Sequence, residues 1–226
     1  MSIQFFYLSG SPFAWKVWLA LEHKQIPYEL KVMSVDGGEL KTPDYRATNP
    51  RGKAPAIVHD GFALYESAAI VEYLEDAFPH DGEPLWPDEV NLRAQGRRTA
   101  AEADAYLYPP VRRLVEQLLM RKPGETDESV VSDARQAVTE TLNLFGQGIL
   151  GPYALGIRPS AADYAVYPLT ALLRRIDTRR PECGVAASIP ASVSEWQGRI
   201  ESLPFFDKTW PPHWGPRRLL SANTSP

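Results

Sequence analysis

Three hydroxyl side chains crowd the place where an apolar stretch gives way to a helix pattern: Tyr7, Ser9 and Ser11, in the run Tyr7-Leu8-Ser9-Gly10-Ser11-Pro12-Phe13-Ala14-Trp15-Lys16-Val17. Serine is a favoured N-cap and proline a favoured first helical residue, so Ser11-Pro12 reads as a helix opening whose unpaired N–H groups and positive dipole end attract an anion. A hydroxyl there can donate to a bound thiol's sulfur and favour the thiolate. The same residues also make an ordinary cap, and a tyrosine at Tyr7 an ordinary strand-core residue. Spacing alone leaves Ser11, Tyr7 and Ser9 all open as the activating group.

The elements that position these hydroxyls follow from periodicity. Ile3 to Leu8 is short, aromatic and strand-like, and Pro12 to Lys24 carries Phe13, Val17, Ala20, Leu21 and Lys24 along one helical face. Gln25-Ile26-Pro27 breaks that helix, after which Tyr28, Leu30 and Val32 alternate with charged residues as a half-buried strand does. This is a βαβ unit with parallel strands and a right-handed crossover. A loop-rich stretch with a short helix near Tyr45 follows. Ala56–Val58 and Ala63–Tyr65 flank Asp60-Gly61, a strong hairpin signal, and Ser67 is placed to cap a helix over 68–78.

Residues 79–87 hold three prolines and a glycine, a linker signature. The expected division is therefore 1–80, a linker over 81–88, and an all-α part over 89–226. Helices are expected over 91–120, 128–150, 161–176 and 192–203, the first kinked near Tyr108 by Pro109-Pro110. Ser160-Ala161-Ala162-Asp163 reads as a structural cap.

Composition narrows the function classes. The 226 residues are 44% hydrophobic and 23% charged, ordinary for a globular protein, and the 21 prolines cut the chain often. A net charge of −4, with the arginine pairs dispersed, argues against a nucleic-acid surface. One cysteine, Cys183, allows neither an internal disulfide nor a multi-cysteine zinc site. No apolar run approaches the ~20 residues needed to span a bilayer, so a cytoplasmic, membrane-free protein is expected.

In this order and spacing, Ser11-Pro12-Phe13, Asn49-Pro50-Arg51-Gly52-Lys53-Ala54-Pro55-Ala56 and Leu64-Tyr65-Glu66-Ser67-Ala68-Ala69-Ile70 resemble cytosolic glutathione transferases of the serine type across the whole chain. The resemblance implies an α/β thioredoxin-like domain with a mixed sheet and a cis bond at Ala54-Pro55, followed by an all-α domain that builds the electrophile pocket. It further implies glutathione as co-substrate, no metal, and a homodimer. By the same resemblance, Ser11 stabilises the thiolate, Ser67 and Glu66 take the γ-glutamyl carboxylate and ammonium, and Lys41 and Lys53 hold the glycyl end. The backbone of Ala54, turned outward by the bond to Pro55, pairs with the cysteinyl part. Phe13, Tyr106, Trp210 and Trp214 are the aromatic candidates for the electrophile pocket. The tail, Pro204 to Pro226, is a candidate cover for its mouth, although its last six residues have the composition of a frayed terminus.

A free thiol with a pKa of ~8.5 is only ~3% thiolate at neutral pH. One hydroxyl bond worth about 1.5–3 kcal/mol lowers that pKa by ~1–2 units, so ionisation can raise the thiolate fraction at most ~30-fold and the rest of any acceleration must come from positioning. Two rival readings keep the fold: a non-catalytic binding or scaffold protein, and another glutathione-dependent reaction such as peroxide reduction, dehalogenation, isomerisation or ether cleavage. The run at Ser11 lacks the second serine and the cysteine of maleylacetoacetate isomerases. Serine at position 11 and the isolated Cys183 also disfavour a protein-thiol redox role.

Overall fold

The computed structural model describes residues 3–122 and 124–215 of the chain. Strand β1 (Ile3–Leu8), helix α1 (Pro12–His23) and strand β2 (Tyr28–Met33) form the expected parallel unit, in register from Ile3↔Tyr28 to Leu8↔Met33. After a short helix α2 (Pro43–Thr48) come β3 (Ala56–His59), β4 (Phe62–Tyr65) and helix α3 (Ser67–Ala77). The sheet order is β2-β1-β3-β4, with β3 antiparallel to both neighbours. This is the thioredoxin-like mixed sheet. Asp60 and Gly61 both take positive φ, 50° and 85°, between the paired His59 and Phe62, which is the turn whose twist matches the strands.

Helix α1 departs from the single buried face its periodicity suggests. All of Ala14 to Leu21 is buried, because α1 lies between the sheet with α3 on one side and helix α7 (Ala161–Arg179) on the other. Its indole Trp15 meets the ring of Tyr167 at 5.4 Å, and its last residue, His23, meets Tyr164 at 5.5 Å. The sheet and the helical part thus share one continuous core.

The rest of the described chain is helical: α4 (Val90–Glu102), α5 (Tyr108–Val115), α6 (Glu128–Gln147), α7, and α8 (Ala191–Glu201). The expected long helix over 91–120 is present but interrupted by two wider π-type turns, 103–107 and 116–120. Pro109 and Pro110 cannot donate to the carbonyls one turn back and would press their rings on them. The chain instead widens just before them, with the Tyr108 N–H donating five residues back to the Ala103 carbonyl. Between α3 and α4, Gly82 takes φ +55° against the end of α1, where a Cβ would sit 2.5–2.6 Å from the Lys24 backbone. No helix among the described residues is long and apolar enough to cross a membrane.

Candidate functional site

The sheet registers bring the chemistry-bearing segments to one end. Phe6 pairs with Ala56 and Ala56 with Tyr65, so the end of β1, the start of β3 and the end of β4 are neighbours. The Ser9–Ser11 turn, Ala54-Pro55 and Glu66-Ser67 therefore crown the same edge. The end of β2 lies there too, with Met33 opposite Leu8.

In the β1–α1 turn the Ser11 N–H donates to the Leu8 carbonyl at 3.0 Å, and the Ser11 Oγ accepts the Ala14 N–H at 3.3 Å. Pro12 occupies the first helical position. Ser11 is thus a working N-cap, and because its oxygen accepts that bond its own O–H is left to donate elsewhere. It is partly exposed. Tyr7 is fully buried, edge-on to Trp18 at 4.7 Å, and its hydroxyl has no hydrogen-bond partner among the described residues. Burial pushes the phenol's pKa up, and the nearby Ser9 and Gly10 only partly oppose this without a well-formed bond. Ser9 is engaged in a different way: its Oγ lies 2.6 Å from Nδ1 of His213 in the C-terminal segment.

At the other side of the crown, the sequence reading of Ser67 as the cap of α3 is corrected: Ser67 is the buried first residue of the helix. Glu66 takes the cap position with φ +71°, a left-handed backbone uncommon for a non-glycine residue. That kink turns the chain from β4 into α3 and leaves the first N–H groups of α3 without a side-chain cap. The Glu66 carboxylate is exposed, and so are the ammonium groups of Lys41 and Lys53. None of the three has a protein partner among the described residues. The two lysine segments approach closely, since a Cβ on Gly52 (φ +59°) would sit 2.8 Å from the Leu40 carbonyl. The Lys53 carbonyl accepts Tyr45 Oη–H and Asn49 Nδ2–H, both at 2.6 Å. The Ala54–Pro55 bond is cis.

The aromatic candidates scatter. Phe13 meets Tyr108, not Tyr106, at 4.6 Å between ring centres. Beside it Lys16, almost wholly buried, donates to both oxygens of Asp104 at 2.9 Å. Tyr106 is exposed and lines a cavity of about 560 Å³ with Leu107, Leu144 and Phe145 between α4 and α6. Neither Ser11 nor Phe13 lines that cavity. Trp210 and Trp214 pack edge-on against Trp15, at 5.8 and 5.3 Å, and the Trp210 indole N–H donates to the Gly215 carbonyl. The tail therefore reaches the β1–α1 turn with Trp210 facing the core cluster, while residues 216–226 lie outside the described residues. Cys183 sits at the far end of α7, its thiol pKa raised by burial. Among the described residues no three His, Cys, Asp or Glu side chains gather as metal ligands would. Tyr108, Asp104 and His213 escape a reading of the sequence. Only the position of Tyr108 beside the double proline marks it.

Residues 10–77 match the family model described as the glutathione S-transferase N-terminal domain. Glutathione S-transferase 1 of Dianthus caryophyllus is 30% identical over 169 residues, covering 74% of this chain and 75% of that protein. The chain belongs to the glutathione S-transferase superfamily. A second relative, the maleylacetoacetate isomerase of Pseudomonas aeruginosa, is 32% identical over 173 residues, with 74% and 79% coverage. The crystal structure of a glutathione S-transferase from the Antarctic clam Laternula elliptica superposes with a TM-score of 0.79 at 25% identity, covering 96% of this chain and 95% of that one. As in that transferase, the mixed sheet comes first and the helices follow. The superfamily thus includes both transferases and isomerases among the relatives of this chain.

Proposed function

We propose that the protein is a glutathione transferase in which Ser11 donates its hydroxyl proton to the sulfur of bound glutathione, holding it as a thiolate for attack on a small hydrophobic electrophile. The observation that carries this is the contrast among the three hydroxyls. Ser11 is partly exposed with a free O–H at a helix start, Tyr7 is sealed in the core, and Ser9 is already paired with His213. The thiol proton leaves to solvent. The sulfur then forms the new C–S bond, and the electron pair of the broken bond departs with the leaving group.

Around that sulfur, Ser67 and the open N-terminus of α3 receive the γ-glutamyl carboxylate, and Glu66 accepts from the ammonium. Lys41 and Lys53, on segments that meet where Gly52 approaches the Leu40 carbonyl and with no side-chain partner among the described residues, take the glycyl carboxylate. The Ala54 N–H and C=O pair with the cysteinyl unit. Phe13 with Tyr108 supplies an apolar wall near the thiol; Tyr106 and Trp210 are left out of it because the first faces another cavity and the second a core cluster. In this reading residues 1–80 bind glutathione, 81–88 link, and 89–226 build the second-substrate side. The working form is a cytoplasmic homodimer, which sedimentation of the purified protein tests.

An ultraviolet titration of bound glutathione against pH tests the thiol claim. The expected result is a midpoint roughly 1–2 units below that of the free thiol, lost or moved upward in Ser11→Ala. An unchanged midpoint in Ser11→Ala refutes the role of Ser11, and glutathione bound with an unperturbed thiol refutes the enzyme. Isomerisation, favoured by the isomerase relative, is separated by stoichiometry: conjugation consumes glutathione, whereas isomerisation returns it.

A further inference from the structure

The C-terminal segment places an imidazole on the thiol turn. His213 Nδ1 lies 2.6 Å from Ser9 Oγ, across 204 residues of chain. Its ring edge rests on Gly10, where a Cβ would sit 2.7 Å from Cε1 and 3.2 Å from Nε2. Gly10 itself has φ +80° and no side chain, so at this position the imidazole packs on the backbone, while Ser11 is fixed on its helix side by its bond to the Ala14 N–H. On the other side the segment is anchored: Thr209 Oγ1 accepts the Trp15 indole N–H at 3.0 Å, and the Trp214 carbonyl accepts from Arg175 Nη1 at 3.1 Å.

We infer that His213 is a positioning residue of the proposed thiol site: by its bond to Ser9 and its seat on Gly10 it holds the Ser9-Gly10-Ser11 turn so that the Ser11 hydroxyl is presented to the sulfur. The inference rests on Ser11 being the thiol's partner, and it adds a residue from the opposite end of the chain. Burial, and behind it Arg175 and Arg179 of α7, disfavour the charged ring. The neutral imidazole joins Ser9 without placing a second cation in the turn. The rest of the His213 ring stays toward solvent. A bond of this type sets rate through geometry, because a hydroxyl displaced by about 1 Å loses most of its advantage.

The test uses the full chain and four variants: His213→Ala, His213→Phe, His213→Asn and Ser9→Ala. Three quantities are read: the thiol midpoint of bound glutathione, kcat with an activated aryl chloride, and KM for glutathione. His213→Ala and His213→Phe should lower kcat about tenfold and raise the thiol midpoint, with KM for glutathione within about twofold. His213→Asn, whose amide reaches the position of Nδ1, should recover most of both. Ser9→Ala should match His213→Ala, and the double variant should be no worse than either, the mark of one shared bond. Wild-type values in His213→Ala, or an equal loss in His213→Asn and His213→Phe at unchanged melting temperature, overturn the inference. Failure of the underlying reading looks different: the wild-type protein itself then shows no lowered thiol midpoint.

Discussion

Ser11 caps α1 through its oxygen, and the proposed donation of its hydrogen to the glutathione sulfur is chemically compatible with that cap because one uses a lone pair and the other the proton. Tyr7 shows the opposite case. Its buried hydroxyl has no well-formed hydrogen bond among the described residues, which costs on the order of 1–3 kcal/mol relative to a satisfied group. Tyr7→Phe is therefore expected to leave the glutathione midpoint where it was and to keep or raise stability, by up to about 1 kcal/mol in urea unfolding. A raised midpoint in Tyr7→Phe would return the thiol role to the phenol. The sequence alone could not separate these hydroxyls, since their spacing along the chain is the same whether the strand buries Tyr7 or not. What separates them is the depth of β1 as a central strand, together with an imidazole that arrives from residue 213.

Among the elements, those fixed by short-range rules are legible in the sequence. The Asp60-Gly61 hairpin, the Ser11-Pro12 helix start and the break at Pro27 each rest on one or two residues with narrow backbone preferences. What is not legible is which faces a helix buries when two layers claim it. Periodicity gives α1 one face, but α7 covers the other, and His23 is drawn into that contact. Pro84 can only accept, so His23 Nε2–H donates to its carbonyl, and Nδ1 accepts from Tyr164 Oη–H at 2.7 Å. Burial lowers the His23 pKa below its ordinary value, with the Pro84 bond opposing. A base held neutral in the fold contributes stability that is present above the unfolded value of about 6.5 and is lost as the pH falls through the depressed folded value. Urea midpoints at pH 7.5 and 5.5 should thus differ more in the native protein than in His23→Gln. Equal differences would show that this imidazole does not couple α1 to α7.

At the scale of the whole molecule, one buried carboxylate ties together parts that lie far apart in the chain. Asp163 is fully buried and accepts from the Ser160 N–H and Oγ–H, the Ala154 N–H and the Trp196 indole N–H, all within 2.8 Å. The sequence signals the Ser160 contact, three residues away, but not the reach to α8. Asp163→Ala should destabilise the protein by roughly 3 kcal/mol or more, because four buried donors lose their acceptor together. Lys41→Ala, at an exposed site without a side-chain partner among the described residues, should change stability by less than about 0.5 kcal/mol. The same logic bears on whether the sheet half stands alone. Helix α1 has Trp15, Leu19 and Trp18 buried in a core it shares with α7 and with the 206–214 segment. A fragment ending at residue 80 would open that side of α1 to water, at about 25 cal/mol for each Å² of apolar surface. The expected outcome is that residues 1–80 alone give poor amide dispersion by NMR, while the full chain unfolds in one transition seen alike by circular dichroism and tryptophan fluorescence. A well-dispersed fragment spectrum, or two separated transitions in the full chain, would mean that the two parts are stabilised independently. The placement of His213 on the β1–α1 turn would then have to be maintained by the C-terminal segment's own contacts with Trp15 and Arg175.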